Sequence, residues 1–249
     1  MRICEFGVEN PECILLIHPS LVTWDYFESV IPLLEKRYHL LIPALPGYDL
    51  TDASEFSSVE RIASQLADEL REKGISQVKA IYGCSMGGSI ALRMAVDGKL
   101  KAQHYIMDGG ITPYQLPWIL TRFIALRDFG MMALGKLGGE KMIVKAFSSS
   151  QYSEEDLKYV ANMFRHCTYK TLWNTFDSCN NYEMPKEPMC FPGEIHYWYA
   201  EKERKARDWD LKFMRQFVPD TVFKSFEGMD HGDMALFYPE RMAEELSRL

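Results

Sequence analysis

The sequence predicts an α/β fold, a mostly parallel central sheet flanked by helices with one helical insertion. Three observations carry this. Short apolar runs recur at residues 13–17, 38–42, 78–82 and 102–107. Amphipathic stretches of helical period separate the later ones. The rhythm stops near residue 111 and resumes at 195–199. Continuous rather than alternating apolar runs mark strands buried on both faces, and helices between such strands make the sheet parallel.

The elements follow in order. The run 13–17 (Cys-Ile-Leu-Leu-Ile) ends before Pro19, and residues 25–36 read as a helix. The run 38–42 is stopped by Pro43 and then Pro46-Gly47. Ser57-Ser58-Val59-Glu60 has the S-x-x-E form of a capping box. Val59, Ile62, Leu66 and Leu70 then recur at helical spacing, up to Gly74. The run 78–82 precedes a helix at 89–97 closed by Gly98, and 102–107 is the next strand. From 111 to 192 the chain reads as helical throughout. A strand at 195–199, a helix at 209–217, a strand at 221–226 and a helix after Pro239 complete the layout. The expected organisation is a core of residues 1–110 and 193–249 with an insertion at 111–192.

Composition excludes several classes. The chain has 249 residues, 47% hydrophobic and 25% charged, as in ordinary globular proteins. Its longest purely aliphatic stretch, 14–17, is far short of the roughly 20 residues of a membrane span. Glu5 sits where a secretory leader would build its apolar run, so a cytoplasmic protein is expected. The net charge of −7, and a basic stretch at 202–207 diluted by Glu201 and Glu203, argue against nucleic-acid partners. The six cysteines form no C-x-x-C and no cluster of zinc-ligand spacing, so reduced thiols and no metal are expected. Gly130 to Lys136 matches most of a P-loop, but Leu137 replaces the Ser/Thr and no strand precedes it. No cofactor is implied.

The chemistry points to Gly83-Cys84-Ser85-Met86-Gly87, a G-x-S-x-G between a strand and a helix. Such a turn exposes a serine at the sheet edge, and its glycines let strand and helix pack closely. A hydroxyl is a weak nucleophile at neutral pH and needs a base with its own orienting acid. Five of the histidines fall in or beside strands or in the insertion. His231 alone lies in a polar, glycine-flanked loop between the last strand and the last helix. The carboxylates available to orient it are Glu203, Asp108 and, two residues out of register with Glu203, Glu201.

These motifs resemble, over nearly the whole chain, the α/β-hydrolase superfamily. His18-Pro19-Ser20 stands where that family has an HG-type oxyanion turn. Leu45-Pro46-Gly47-Tyr48 stands at its P-G-x-G-like turn, Ser85 at its elbow, and Gly228-x-x-His231 near its C-terminus. The resemblance implies that 111–192 is a helical cap. It also implies a Ser85–His231–acid triad, with oxyanion donors at the N–H groups of Met86 and Ser20. Two positions depart from the family. Pro19 replaces the usual glycine and has no N–H, which leaves Ser20 or Leu21 as the second donor. Glu203 stands where the family commonly has aspartate, while Asp108 resembles the position of members that carry the acid one strand earlier.

The implied function is a serine hydrolase cleaving a small carboxylic ester or related acyl compound through an acyl-enzyme. An apolar small molecule would be its partner, with bulky insertion residues such as Trp118 and Trp173 as pocket wall. Acyl transfer, C–C hydrolysis, or ligand binding without catalysis are the rival readings of the same site.

Overall fold

The computed structural model describes residues 1–146 and 152–249; residues 147–151 of the expected insertion lie outside the described residues. Seven strands form one sheet: β1 (Arg2–Phe6), β2 (Cys13–Ile17), β3 (His39–Ala44), β4 (Gln77–Cys84), β5 (Lys101–Asp108), β6 (Glu194–Ala200) and β7 (Val222–Phe226). Their spatial order is β1-β3-β2-β4-β5-β6-β7. Only the β1–β3 pair is antiparallel; the others are parallel.

Alternation along each strand builds two cores. Leu15, Ile17, Ile81, Tyr105 and Met107 face one side of the sheet. There they meet α2 (Val59–Glu72), α3 (Met86–Asp97) and α7 (Asp208–Phe217). Ile14, Leu16, Ala80, Tyr82 and Ile106 face the other. That side is covered by α1 (Ile31–Leu34), α8 (Asp233–Phe237) and α9 (Pro239–Ser247). Adjacent strand residues pointing to opposite cores is why these runs carry no polar alternation.

Between β5 and β6 lie α4 (Trp118–Ala146, kinked at Gly139 with φ 61), α5 (Glu154–His166) and α6 (Tyr169–Asn181). No strand interrupts them among the described residues. The P-loop-like stretch falls inside α4, where Lys136 Nζ donates to the carbonyls of Phe164 and Cys167 at 2.6 and 2.7 Å. All six cysteines are free thiols. No described helix is long and apolar enough to cross a membrane.

The structure corrects three sequence expectations and adds one strand. The helix expected at 25–36 is a 3₁₀ turn at Trp24–Phe27 followed by α1, because Pro32 would clash with the preceding turn of a continuous helix. The cap of α2 is Ser58, not Ser57; its Oγ accepts from Arg61 N, while Glu60 accepts from Glu183 N. The expected continuous helicity over 111–192 gives way to loops at both ends, where Pro113, Pro117, Pro185, Pro188 and Pro192 lie. The sequence also concealed β1. In this edge strand Glu5 pairs with His39 at 2.9 Å and Lys73 at 2.7 Å.

Candidate active site

Ser85 sits between the end of β4 and the start of α3 with φ 51 and ψ −115, a conformation that costs a non-glycine residue about 1–3 kcal/mol. The surroundings hold it there. Ser85 N donates to the Asp108 carbonyl at 2.8 Å, and its own carbonyl accepts from Gly88 N at 2.9 Å. A Cβ on Gly83 would lie 2.0 Å from the Gly87 carbonyl oxygen, and one on Gly87 would lie 2.3 Å from that of Ile17. The motif's glycines are therefore required by backbone contact between β4, α3 and β2. The Met86 N–H, at the first turn of α3, has no hydrogen-bond partner among the described residues.

The Pro19–Leu21 turn is anchored from behind by His18. Burial lowers the His18 pKa to about 4, so the ring is neutral. Its Nδ1 bonds the Pro19 carbonyl at 2.7 Å and its Nε2 accepts from Leu45 N at 3.2 Å. That fixes the tautomer with the proton on Nδ1. Leu21 follows at φ 64, the only non-glycine residue besides Ser85 in the left-handed region among the described residues.

The three candidate acids separate cleanly in space. Glu203 lies in the turn after β6, where its Oε2 is 2.6 Å from His231 Nδ1 and its Oε1 accepts from Ala200 N at 3.0 Å. Arg207 Nε stands 3.5 Å from the same carboxylate. Burial pushes the Glu203 carboxyl up, but the His231 hydrogen bond and charge, the Ala200 amide and Arg207 together hold it below its ordinary value. Asp108, at the end of β5, accepts instead from Tyr82 Oη at 2.5 Å. Burial raises its pKa to about 6. Glu201 accepts from Gly228 N at the surface.

Sequence reasoning missed Gly109. It has φ 56, and a Cβ there would lie 2.8 Å from His231 Nδ1 and 2.9 Å from Glu203 Oε1. The space in which imidazole and carboxylate meet exists because residue 109 has no side chain. The Gly109-Gly110 pair after a strand was the available signal. Arg207 was missed as well, since an arginine in a charged run carries no pattern; its Nη1 donates to the Gly109 carbonyl at 3.2 Å.

Ser85, His231, Ser20 and Leu21 line one cavity of about 830 Å³. Its far wall comes from the insertion, through Met131, Met132, Tyr159 and Phe164. Trp118 and Trp173 are not in that wall, contrary to expectation. Trp118 is 71% exposed, with its ring under the Arg122 guanidinium, and Trp173 packs against Phe129. Asp25, Glu28, Glu155 and Asp156 also border the cavity. No hydrogen bond joins His231 to Ser85 among the described residues; such bonds often tighten only around a bound substrate.

A G-x-S-x-G elbow, a carboxylate-bound histidine after the last strand and an inserted helical segment on a mostly parallel sheet define the α/β-hydrolase class. This chain belongs to the alpha/beta hydrolase family, whose sequence profile matches residues 14–245. A pimeloyl-[acyl-carrier protein] methyl ester esterase of Legionella pneumophila is 31% identical over 106 residues, 43% of this chain and 40% of that protein. The chain thus aligns with well under half the length of this relative. Among solved structures, an alpha/beta hydrolase family protein from Desulfitobacterium hafniense superposes with a TM-score of 0.78 at 22% identity, over 99% of both chains. MenH from S. aureus superposes at 0.75 and 16% identity, over 99% of this chain and 97% of that one. At these identities the structural likenesses establish the fold.

Proposed function

We propose that this protein is a serine hydrolase that cleaves a small, neutral carboxylic ester or related acyl compound. Ser85 Oγ attacks the carbonyl carbon as His231 Nε2 takes its proton. Glu203 accepts from Nδ1–H, which fixes the tautomer and stabilises the imidazolium. The N–H groups of Met86 and Ser20 stabilise the oxyanion. His231 then protonates the leaving alcohol, and water hydrolyses the acyl-enzyme by the reverse proton path.

The observation that carries this reading is the 2.6 Å contact between Glu203 and His231 at the rim of a cavity that Ser85 also lines. A carboxylate held ionised by its surroundings is what an imidazole base requires. Esterase names among the relatives support an ester as the scissile bond. The apolar insertion wall suits an acyl chain, in a cavity of ordinary ligand size. The four carboxylates at its border repel anions, which favours a neutral acyl group over a dicarboxylate half-ester.

Two assays test the proposal. A fluorophosphonate should label wild type rapidly at Ser85, since only an activated serine reacts fast. A panel of p-nitrophenyl esters should show turnover that rises with chain length and then falls as the cavity fills. Absence of both labelling and turnover would leave a binding protein on a hydrolase fold.

A further inference from the structure

A second cluster of chemistry-bearing side chains lies away from the cavity. His104 is on β5, Glu194 opens β6, and His196 follows two residues later. In the parallel β5–β6 ladder His104 is opposite Glu194 and Ile106 is opposite His196. Residues 194 and 196 project from one face of β6, and residue 104 projects beside them. His104 Nδ1 and His196 Nε2 are 3.2 Å apart. The Oε2 atom of Glu194 is 3.3 Å from the first and 3.0 Å from the second.

We propose that His104, Glu194 and His196 bind a divalent transition-metal ion of the zinc class. The three atoms form a nearly equilateral triangle. An ion at the usual zinc distances of about 2.0–2.1 Å from each would sit roughly 0.9 Å above its plane, forming one face of a tetrahedral site. Protons satisfy the triangle poorly. If both rings donate to Oε2, the 3.2 Å contact between their nitrogens carries no hydrogen bond. If one ring donates to the other, the second contact to the carboxylate loses its donor. A cation resolves all three contacts at once, because each atom then offers an electron pair to a common centre.

The surroundings suit such an ion. His196 is buried and His104 half-buried, whereas Glu194 is exposed, so the open coordination position faces water. Two imidazoles and one carboxylate favour zinc, cobalt or nickel over magnesium or calcium, which prefer all-oxygen shells. Lys224, one strand further on β7, is the nearby cation, and its ammonium is engaged by Glu245.

The site is separate from the proposed catalytic centre. None of its residues lines the 830 Å³ cavity, and His104 lies four residues before Asp108, about 13 Å along the strand. A bound ion would tie β5 to β6, the strands whose ends lead into Gly109 and Glu203. No sequence spacing announces it, since the two histidines are 92 residues apart.

The test uses the full chain without a polyhistidine tag, stripped with EDTA. One equivalent of Co²⁺ should bind with visible d–d absorption and no thiolate charge-transfer band, and Zn²⁺ should displace it. At a hundredfold excess over Kd, Zn²⁺ should raise Tm by about 5 °C or more. His104→Gln and Glu194→Gln should abolish uptake, whereas Ser85→Ala and His39→Gln should retain it. Circular dichroism checks folding, and if His104→Gln fails to fold, Glu194→Gln decides. Absence of stoichiometric uptake overturns the proposal, as does uptake that survives Glu194→Gln. So does a sulfur-to-cobalt band, which would indicate a site such as Cys13 and His39, 3.7 Å apart.

Discussion

Around Ser85, glycine α-carbons touch backbone from three directions, and the residues on either side, Cys84 and Met86, are almost wholly buried. Along α4 the opposite holds. Trp118, Phe123, Leu134 and Leu137 are each more than 60% exposed or close to it, and only Ala125 and Thr121 are buried in the helix's described residues. One region has a single backbone solution; the other is a layer laid over a finished core. Strain such as the Ser85 φ of 51 persists only where the surroundings over-determine it. Variation in a cavity wall is tolerated where few contacts depend on each side chain. On the proposed mechanism, bond-making belongs to the first region and substrate selection to the second.

The largest effect expected is at the elbow. Ser85→Ala should reduce kcat by at least a thousandfold and abolish fluorophosphonate labelling. Its Tm should match wild type, because the backbone contacts remain. Residual turnover above about a thousandth of wild type would move the nucleophile elsewhere.

Next come the two carboxylates. Glu203→Gln should lower kcat by up to about 10⁴-fold, since the imidazole loses both its orientation and its charge partner. Asp108→Asn should leave kcat within about tenfold. Their stability profiles should slope in opposite directions. The folded Glu203 pKa lies below its unfolded value, so its contribution is present above about pH 4.5 and is lost as pH falls through the folded value. The folded Asp108 pKa is raised from 3.8 to about 6, so folding is penalised increasingly as pH rises between those values. At pH 7 that penalty approaches about 3 kcal/mol. Asp108→Asn should therefore keep or raise Tm at pH 7, with the advantage vanishing below pH 4. A crippled Asp108→Asn beside a nearly wild-type Glu203→Gln would reverse the assignment.

In the insertion the effects should be smaller and of another kind. Phe164→Ala or Met132→Ala should shift the preferred ester chain length and change kcat/KM between short and long esters by about tenfold, in line with the 1–3 kcal/mol of pocket contacts. Uniform loss across the panel would mean that these side chains support the fold rather than the substrate.

The smallest effect is expected at Trp118→Ala. An exposed ring stacked by Arg122 should change Tm and chain-length preference little, within about 0.5 kcal/mol. A large change in preference would extend the cavity wall along α4.

Six of the seven strands, the elbow and the interruption between β5 and β6 were legible in the sequence. Buried parallel strands are written as contiguous apolar runs, and a strand–turn–helix with glycines at fixed offsets is local information. Edge strand β1 escaped this reading because half its surface is wet and its charges are satisfied by distant partners. Tertiary structure alone decided which carboxylate meets His231. Asp108 ends β5 and Glu203 follows β6 on the same edge of the sheet, and the bare α-carbon of Gly109 and the Tyr82 hydroxyl give them different partners. The same holds for the cavity wall, where burial on a helix depends on what packs against it, so Met132 and Phe164 line the cavity while Trp118 faces water. The His104–Glu194–His196 triangle is a third case. Strand register brings together atoms far apart in the chain, and no local pattern records a distance of 3.2 Å across 92 residues.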